Sequence, residues 1–405
     1  MCHTKPLSAL RRVSFTPRRS MATLTTSATT ESSSSTPSVR ELAVERGWKL
    51  YNDLHQPKRI VAPMVDQSEL AFRMLTRKYG ADLCYTPMFH ARMFHEDATY
   101  RETAWQVEAT DRPLFVQFCG NNPDVVLNAA RYVEGHCDAV DLNLGCPQGI
   151  AKKGRYGAFL MHEPDVVRAI VSKLSSNLSV PVACKIRLLP KYEDTLAFAN
   201  MLIDAGCCWL VVHGRTKEMN KHLVRECDWN AIARLKKALP IPVFANGGIE
   251  TDADVQRCLD ETSVEGVMSS EGILERPALF ANDRDPHGVP LRQIDLAIEY
   301  LELAKQYPPP DKFLRAHLFK ILFQELKVHT DLREQIGLGH THEALVAITA
   351  ELKARLDAPD AEPIPASVEA SWYRRHRKQQ EIADRKPAME KCDDSGFTDF
   401  SSLFG

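Results

Sequence analysis

The chain has 405 residues, with 51 Lys and Arg against 53 Asp and Glu, a formal net charge of −2, and 44% hydrophobic residues. These are the proportions of an ordinary soluble globular protein, and without a global basic field any nucleic-acid partner has to be held by a local patch. No apolar run reaches the roughly 18 residues of a membrane span, and the eleven cysteines contain no C-x-x-C, which argues against a metal site or a disulfide framework and for a reducing compartment.

In chain order, residues 1–40 hold Lys5, Arg11, Arg12, Arg18 and Arg19, many Ser and Thr, and no acid before Glu31. Such a start resembles a mitochondrial transit peptide; the alternative is a polar tail ahead of a second start at Met21. Residues 1–55 therefore read as a disordered tail with a lead-in. The expected location is cytoplasmic or nuclear, with a mitochondrial one as the alternative the N-terminus allows. Short strand-like runs follow at 59–65, 83–87, 114–119, 139–144, 182–188, 209–213, 243–246 and 266–270. Amphipathic helical segments separate most of them, such as 195–206, with Phe198, Met201, Leu202 and Ala205 on one stripe, and 122–135, opened by an Asn-Pro cap. Eight strands alternating with helices over about 210 residues have the count and size of a (β/α)8 TIM barrel. A doubly wound open sheet is the weaker reading, because no strand is followed by G-x-G-x-x-G. The barrel is assigned to residues 56–288 and an all-helical domain to 289–358, where Leu314, Leu318, Ile321 and Leu322 form a core stripe. Residues 359–405 read as a polar tail with a basic cluster at 374–378.

Polar residues recur at the C-terminal ends of the strand runs, where barrel enzymes keep their chemistry. The run 139–144 places Asp141 and Asn143 on one face and stops at Gly145-Cys146-Pro147, since proline cannot donate to a ladder. Cys146 is left at the sheet edge, before Lys152, Lys153 and Arg155. A thiol so placed suits proton transfer beside an anionic ligand; the bland alternative is a packing cysteine. Gln117, Lys185, Arg187, His213 and Asn246 fall at other strand ends. Lys185 and Arg187 share one face of a buried strand, which is costly unless they meet an anion or an electron-rich ligand. Glycines after the seventh and eighth runs mark the usual barrel phosphate site.

With these residues placed, the chain resembles the tRNA-dihydrouridine synthases. The resemblance rests on Ala-Pro-Met-Val-Asp-Gln-Ser (62–68), Gln117, Asn-Leu-Gly-Cys-Pro-Gln (143–148), Lys-Ile-Arg (185–187), His-Gly-Arg-Thr (213–216), Asn-Gly-Gly-Ile (246–249) and Ser-Glu-Gly (270–272). The segments 152–160 and 315–320 are similar to the eukaryotic branch acting on positions 16 and 17 of the tRNA D-loop. The resemblance implies an FMN-containing barrel, reloaded by NADPH or NADH, and a helical tRNA-binding domain. It implies that Pro63 and Met64 lie along the flavin, that Gln117, Lys185 and His213 meet its polar edge, and that Asn246, Gly247, Gly248, Ser270 and Glu271 hold the phosphate end. Ser270-Glu271 stands where bacterial members have Gly-Arg, so backbone contact is the assignment there. Cys146 is implied as proton donor, and Asn143, Arg187, Arg215, Lys152 and Lys153 as substrate contacts. Lys152, Lys153, Arg155, Arg215, Lys217 and Lys221 are expected to border the mouth, with further grip from Arg315, Lys320 and Lys327, so that a chain ending near Phe280, if it folds, should still bind FMN and oxidise NADPH while losing tRNA turnover. A monomer, with no metal, is expected. The alternatives are another FMN barrel oxidoreductase acting on a small pyrimidine, of the dihydroorotate dehydrogenase kind, and a flavin-free RNA-binding protein.

Overall fold

The computed structural model describes residues 36–220, 223–285, 287–339 and 341–364. Strands β1 (Arg59–Val61), β2 (Leu83–Tyr85), β3 (Leu114–Cys119), β4 (Ala139–Leu144), β5 (Val182–Arg187), β6 (Trp209–His213), β7 (Val243–Asn246) and β8 (Gly266–Ser269) run parallel, each paired with the next. β8 pairs back onto β1, so the sheet closes into a (β/α)8 barrel. An additional two-residue strand, Phe89–His90, adds to the end of β3. The strands read as near-continuous hydrophobic runs because helices cover their outer faces while side chains fill the interior. β1 is shorter than the run 59–65: Pro63 has no N–H for the ladder, and the chain turns there instead.

The lower barrel is aromatic. Trp209 stacks on Phe244 at 3.9 Å and meets Phe115 at 5.1 Å, and Tyr85 meets Phe115 at the same distance. A helix at Val39–Asp53 covers this end, within the stretch expected to be a tail and lead-in. It starts at a capping box between Ser38 and Glu41 and sets Tyr51 against Trp209 and Phe244. Its Gly47 lies so close to the Cys208 carbonyl that a Cβ there would sit 2.1 Å from the oxygen. With this end shut by packed side chains, the C-terminal ends of the strands remain for chemistry.

Helices Gln293–Gln306, Asp311–Ile321, Glu325–Val328, Thr330–Leu338 and His342–Leu356 follow the barrel, with Leu314, Leu318, Ile321 and Leu322 buried. Gln293–Gln306 packs on the barrel helix Leu70–Lys78. Between them lies a buried polar cluster. Glu69, capping Leu70–Lys78, accepts from the Tyr300 hydroxyl at 2.8 Å and faces His317 Nε2 at 3.1 Å, while the His317 ring stacks on Phe72. No helix among the described residues is long and apolar enough to cross a membrane. The transit-like segment 1–35 and the basic cluster at 374–378 lie outside the described residues.

Candidate active site

β4 delivers Cys146 on a turn whose geometry is held from two sides. The Asn143 carboxamide oxygen accepts from the backbone N–H of Gly145 at 3.1 Å and of Cys146 at 2.9 Å. The Cys146 carbonyl accepts from the N–H of Ala158 at 3.0 Å. That return is possible because Gly157 sits at φ +65°, where a Cβ would fall 2.7 Å from the Cys146 oxygen. The intervening helix Gly149–Gly154 ends with Arg155 in the left-handed region. Cys146 is half-buried. Burial pushes its thiol up, against the backbone N–H of Gln148 and the charges of Arg187 and Lys185. A thiol raised in this way stays protonated near neutrality and can give a proton.

Beneath the turn, three side chains form a line. Asn143 Nδ2 donates to Gln117 Oε1 at 2.7 Å, and Gln117 Nε2 donates to Asp141 Oδ2 at 2.7 Å. The Gln117 backbone N–H donates to the Thr86 hydroxyl at 3.2 Å. Gln117 and Asp141 are fully buried, and Asp141 Oδ1 has no hydrogen-bond partner among the described residues. Burial drives the Asp141 carboxyl up to about 7, against the Gln117 hydrogen bond and the Lys185 charge. Lys185, beside Asn143 in the β4–β5 register, has no hydrogen-bond partner among the described residues. Burial and then Arg187 bring its ammonium down to about 8, with Asp141 opposing them.

At the end of β6, Arg215 Nη1 lies 3.2 Å from His213 Nε2. A guanidinium only donates, so His213 Nε2 accepts and its Nδ1 carries the proton. Burial, with Arg187, Lys185 and Arg215 nearby, holds His213 well below its usual range, hence neutral. Gly247 and Gly248 follow β7 at φ +98° and +79°. A Cβ at Gly247 would meet the His213 ring at 2.9 Å, and one at Gly248 would meet Trp229 at 3.3 Å. Trp229 Nε1 donates to the Gly247 carbonyl at 3.0 Å, holding this bare backbone in place. Asn246 turns its amide into the sheet, donating to the Met268 carbonyl at 2.9 Å. Ser270 caps the short helix Glu271–Glu275, and the Glu271 side chain is exposed. Opposite, Met64 is buried and Pro63 half-buried in the β1 loop. The Ser68 hydroxyl bonds both the N–H and the carbonyl of Met64, and Arg73, paired with buried Asp111, donates to the Ser68 carbonyl at 2.7 Å.

The cationic rim is thinner than expected. Arg215 is buried, donating to the Arg225 carbonyl at 2.5 Å, and Arg187 is buried, donating to the carbonyls of Gly145 and Thr216 at 2.7 and 2.9 Å. Strand alternation turns Arg187 inward and the Arg225 carbonyl holds Arg215 in, so both brace the site and do not present charge to solvent. Arg155 pairs with Glu163 at 2.6 Å, and Lys217 contacts His162 and Glu218. Lys152 and Lys153 are exposed with no ion pair among the described residues. Lys221 lies outside the described residues. Farther off, Arg315 donates to the Gly339 carbonyl at 3.0 Å.

A half-buried thiol, a lysine without a hydrogen-bond partner among the described residues, a neutral histidine and a glycine cradle thus lie at one end of the barrel. The Dihydrouridine synthase (Dus) family model matches residues 60–349. The chain belongs to the dihydrouridine synthase family. It is accordingly an oxidoreductase. It is 49% identical over 300 residues to a Rattus norvegicus protein named tRNA-dihydrouridine(16/17) synthase, NAD(P)(+)-like, covering 74% of this chain and 67% of the relative. It is 43% identical over 323 residues to the Schizosaccharomyces pombe tRNA-dihydrouridine(16/17) synthase, covering 76% and 81%. A Homo sapiens tRNA-dihydrouridine(20a/20b) synthase-like protein is 33% identical over 267 residues, covering 65% and 81%. Sequence reasoning assigned no role in this dihydrouridine synthase to Asp141, Thr86 or Trp229. Only Asp141 carried a signal, its period-two spacing from Asn143.

Proposed function

We propose that this dihydrouridine synthase reduces the C5–C6 double bond of uridine in the D-loop of tRNA, at positions 16 and 17, using FMN and NAD(P)H. The reading is supported most by Cys146, a protonated thiol held by Asn143 and Ala158 on a sheet-edge turn beside the unpartnered Lys185 ammonium. The relatives named for positions 16 and 17 support the substrate and the reductant.

The residues fit FMN. The Lys185 ammonium lacks a partner, and the Gly247-Gly248 backbone has room only for hydrogen where a Cβ would strike His213 or Trp229. Gly247 and Gly248 would hold the phosphate through their N–H groups, Met64 and Pro63 would floor the ring, and Gln117 and Lys185 would meet its polar edge. His213 would add a donor, since its Nδ1–H is the one Arg215 leaves over. Reduced and bound, FMN supplies the hydride for C6. Cys146 Sγ holds the proton that C5 needs, and Lys185 offsets negative charge on the pyrimidine carbonyl as C6 is reduced. Asn143 retains one N–H for the base, its oxygen being committed to the turn. A stacked D-loop uridine has to leave its neighbours to reach this depth, and the exposed Lys152 and Lys153 flank its path.

The test is single-turnover reoxidation of NADPH-reduced protein by unmodified tRNA. Cys146→Ala should keep its flavin and be reduced by NADPH at the ordinary rate, while reoxidation falls by about 10²–10⁴-fold, the contribution of a positioned acid. Equal reoxidation of wild type and variant would refute the assignment of Cys146. Reoxidation by free uracil as fast as by tRNA would favour a small-molecule substrate.

A further inference from the structure

We propose that Asp141 is a positioning residue for the proton donor: by accepting from Gln117 it sets the direction of a hydrogen-bond chain that ends at the N–H groups of the Cys146 turn. The inference rests on the reading of Cys146 as proton donor.

Two groups in the turn have a polarity that cannot be exchanged. The backbone N–H groups of Gly145 and Cys146 can only donate, so the Asn143 atom facing them is the carboxamide oxygen. Asn143 Nδ2 therefore faces Gln117, and the Gln117 atom that receives it has to be oxygen. Gln117 Nε2 is then left to face Asp141, where an acceptor is obligatory. Asp141 meets that demand in either ionisation state: ionised, both of its oxygens accept, and protonated, its carbonyl oxygen still does. An asparagine meets it in only one of two rotamers, and an apolar side chain not at all. The demand carries weight because Gln117 and Asp141 are fully buried, where a donor left without a partner costs its desolvation. Without the acceptor, Gln117 Nε2 is left buried and unsatisfied, the Gln117 side chain shifts to relieve it, its bond from Asn143 is weakened, and the Cys146 turn is loosened. The second Asp141 oxygen is unpartnered, so this carboxylate sits there for the single bond it accepts and for its field on Lys185. Gln117 and Asn143 each keep one N–H whose direction the chain defines, and these are available to the flavin and the base.

The experiment uses the full chain, compares Asp141→Asn with Asp141→Leu, and reads two quantities. The first is amide hydrogen exchange at Gly145 and Cys146 in flavin-free protein, which needs neither cofactor nor tRNA. Asp141→Leu should speed this exchange by about 10-fold or more, while Asp141→Asn, which keeps an acceptor, stays near wild type. The second is the pair of half-reactions at saturating FMN. Asp141→Leu should slow reoxidation by tRNA by about 10–100-fold, as a displaced reacting group does, with NADPH reduction much less affected. A third variant, Gln117→Glu, covers the case in which the leucine protein does not fold. Two facing carboxyls keep the chain's direction only while they share a proton, so turn protection, corrected for intrinsic exchange, should be present at low pH and fall as pH rises. Wild-type protection should stay flat over the same range. Unchanged exchange in Asp141→Leu, equal loss in Asn and Leu, or pH-independent protection in Gln117→Glu would overturn the proposal. So would altered exchange with unaltered tRNA reoxidation, which would reduce Asp141 to a structural group. Wild-type protein that fails to reduce tRNA would instead overturn the proposed function and leave the exchange result standing.

Discussion

Replacing Gly157 with alanine tests whether the Cys146 turn is rigid without touching any group that does chemistry. Gly157 sits at φ +65°, and an ideal Cβ there would lie 2.7 Å from the Cys146 oxygen, 3.0 Å from its Cβ and 3.3 Å from its Cα. Holding a non-glycine residue in the left-handed region costs about 1–2 kcal/mol. Overpacking against backbone adds about 1–3 kcal/mol, because no flexible side-chain end is available to move aside. The sum, about 2–5 kcal/mol, is relieved only by displacing Cys146, whose carbonyl also holds the Ala158 N–H. Melting should fall by about 2–4 °C per kcal/mol, and tRNA reoxidation by up to about 100-fold for a shift near 1 Å, with NADPH reduction close to wild type. Gly135, with nothing within 4 Å of its ideal Cβ, is the control, and Gly135→Ala should leave both measurements unchanged. If Gly157→Ala melts and turns over like wild type, the turn is not preorganised and the steric argument fails.

Affinity for FMN should be flat below pH 8 and fall above it. The free protein's Lys185 titrates at about 8, so above that pH an anionic ligand has to bring a proton with it, at up to about tenfold loss per pH unit; fluorescence titration across pH 7–10 (roughly the span from histidine to lysine titration) reads this, and Lys185→Met should flatten the curve. Lys152→Glu and Lys153→Glu should weaken tRNA binding at every sequence and each change the salt slope by about one unit, measured by binding at several salt concentrations. His317→Leu leaves Glu69 buried without its facing partner and should cost about 3–5 kcal/mol in denaturant unfolding. A chain cut after Phe280 should for the same reason fail to fold cooperatively, and a folded, FMN-binding truncated chain would show that the helices do not support the barrel.

Much of the site was legible because alternation along a strand is a local rule. Gln117, Lys185, His213 and Asn246 stand out as polar residues toward the C-terminal ends of hydrophobic runs, and six of the eight strand runs miss by at most one residue at either end. Arg215 was misjudged as a rim cation for the opposite reason. Its burial is decided by the path of the chain through Arg225, ten residues on, which no spacing encodes. The contact between Glu69 and His317 spans 248 positions and was invisible for the same reason. The helix Val39–Asp53 is a different case: its Ser38–Glu41 capping box stood in the sequence, but the polar stretch before it drew the boundary too far along. Gln117 and Asn143 could be placed from spacing, whereas the direction of their hydrogen bonds needed the turn's N–H groups in three dimensions.

Lys185, Arg187 and Arg215 act on one another: burial and then Arg187 lower the Lys185 ammonium, and burial and then Arg215 lower the Arg187 guanidinium to about 10. Were FMN its cofactor, as proposed, the protein without it would carry self-repulsion at this site, the bound anion would relieve it, and vitamin supply would become a matter of protein abundance as well as activity. At a hundredfold excess over its dissociation constant such a ligand adds about 2.7 kcal/mol to folding, enough to decide how much of the newly made chain survives quality control in a riboflavin-starved cell.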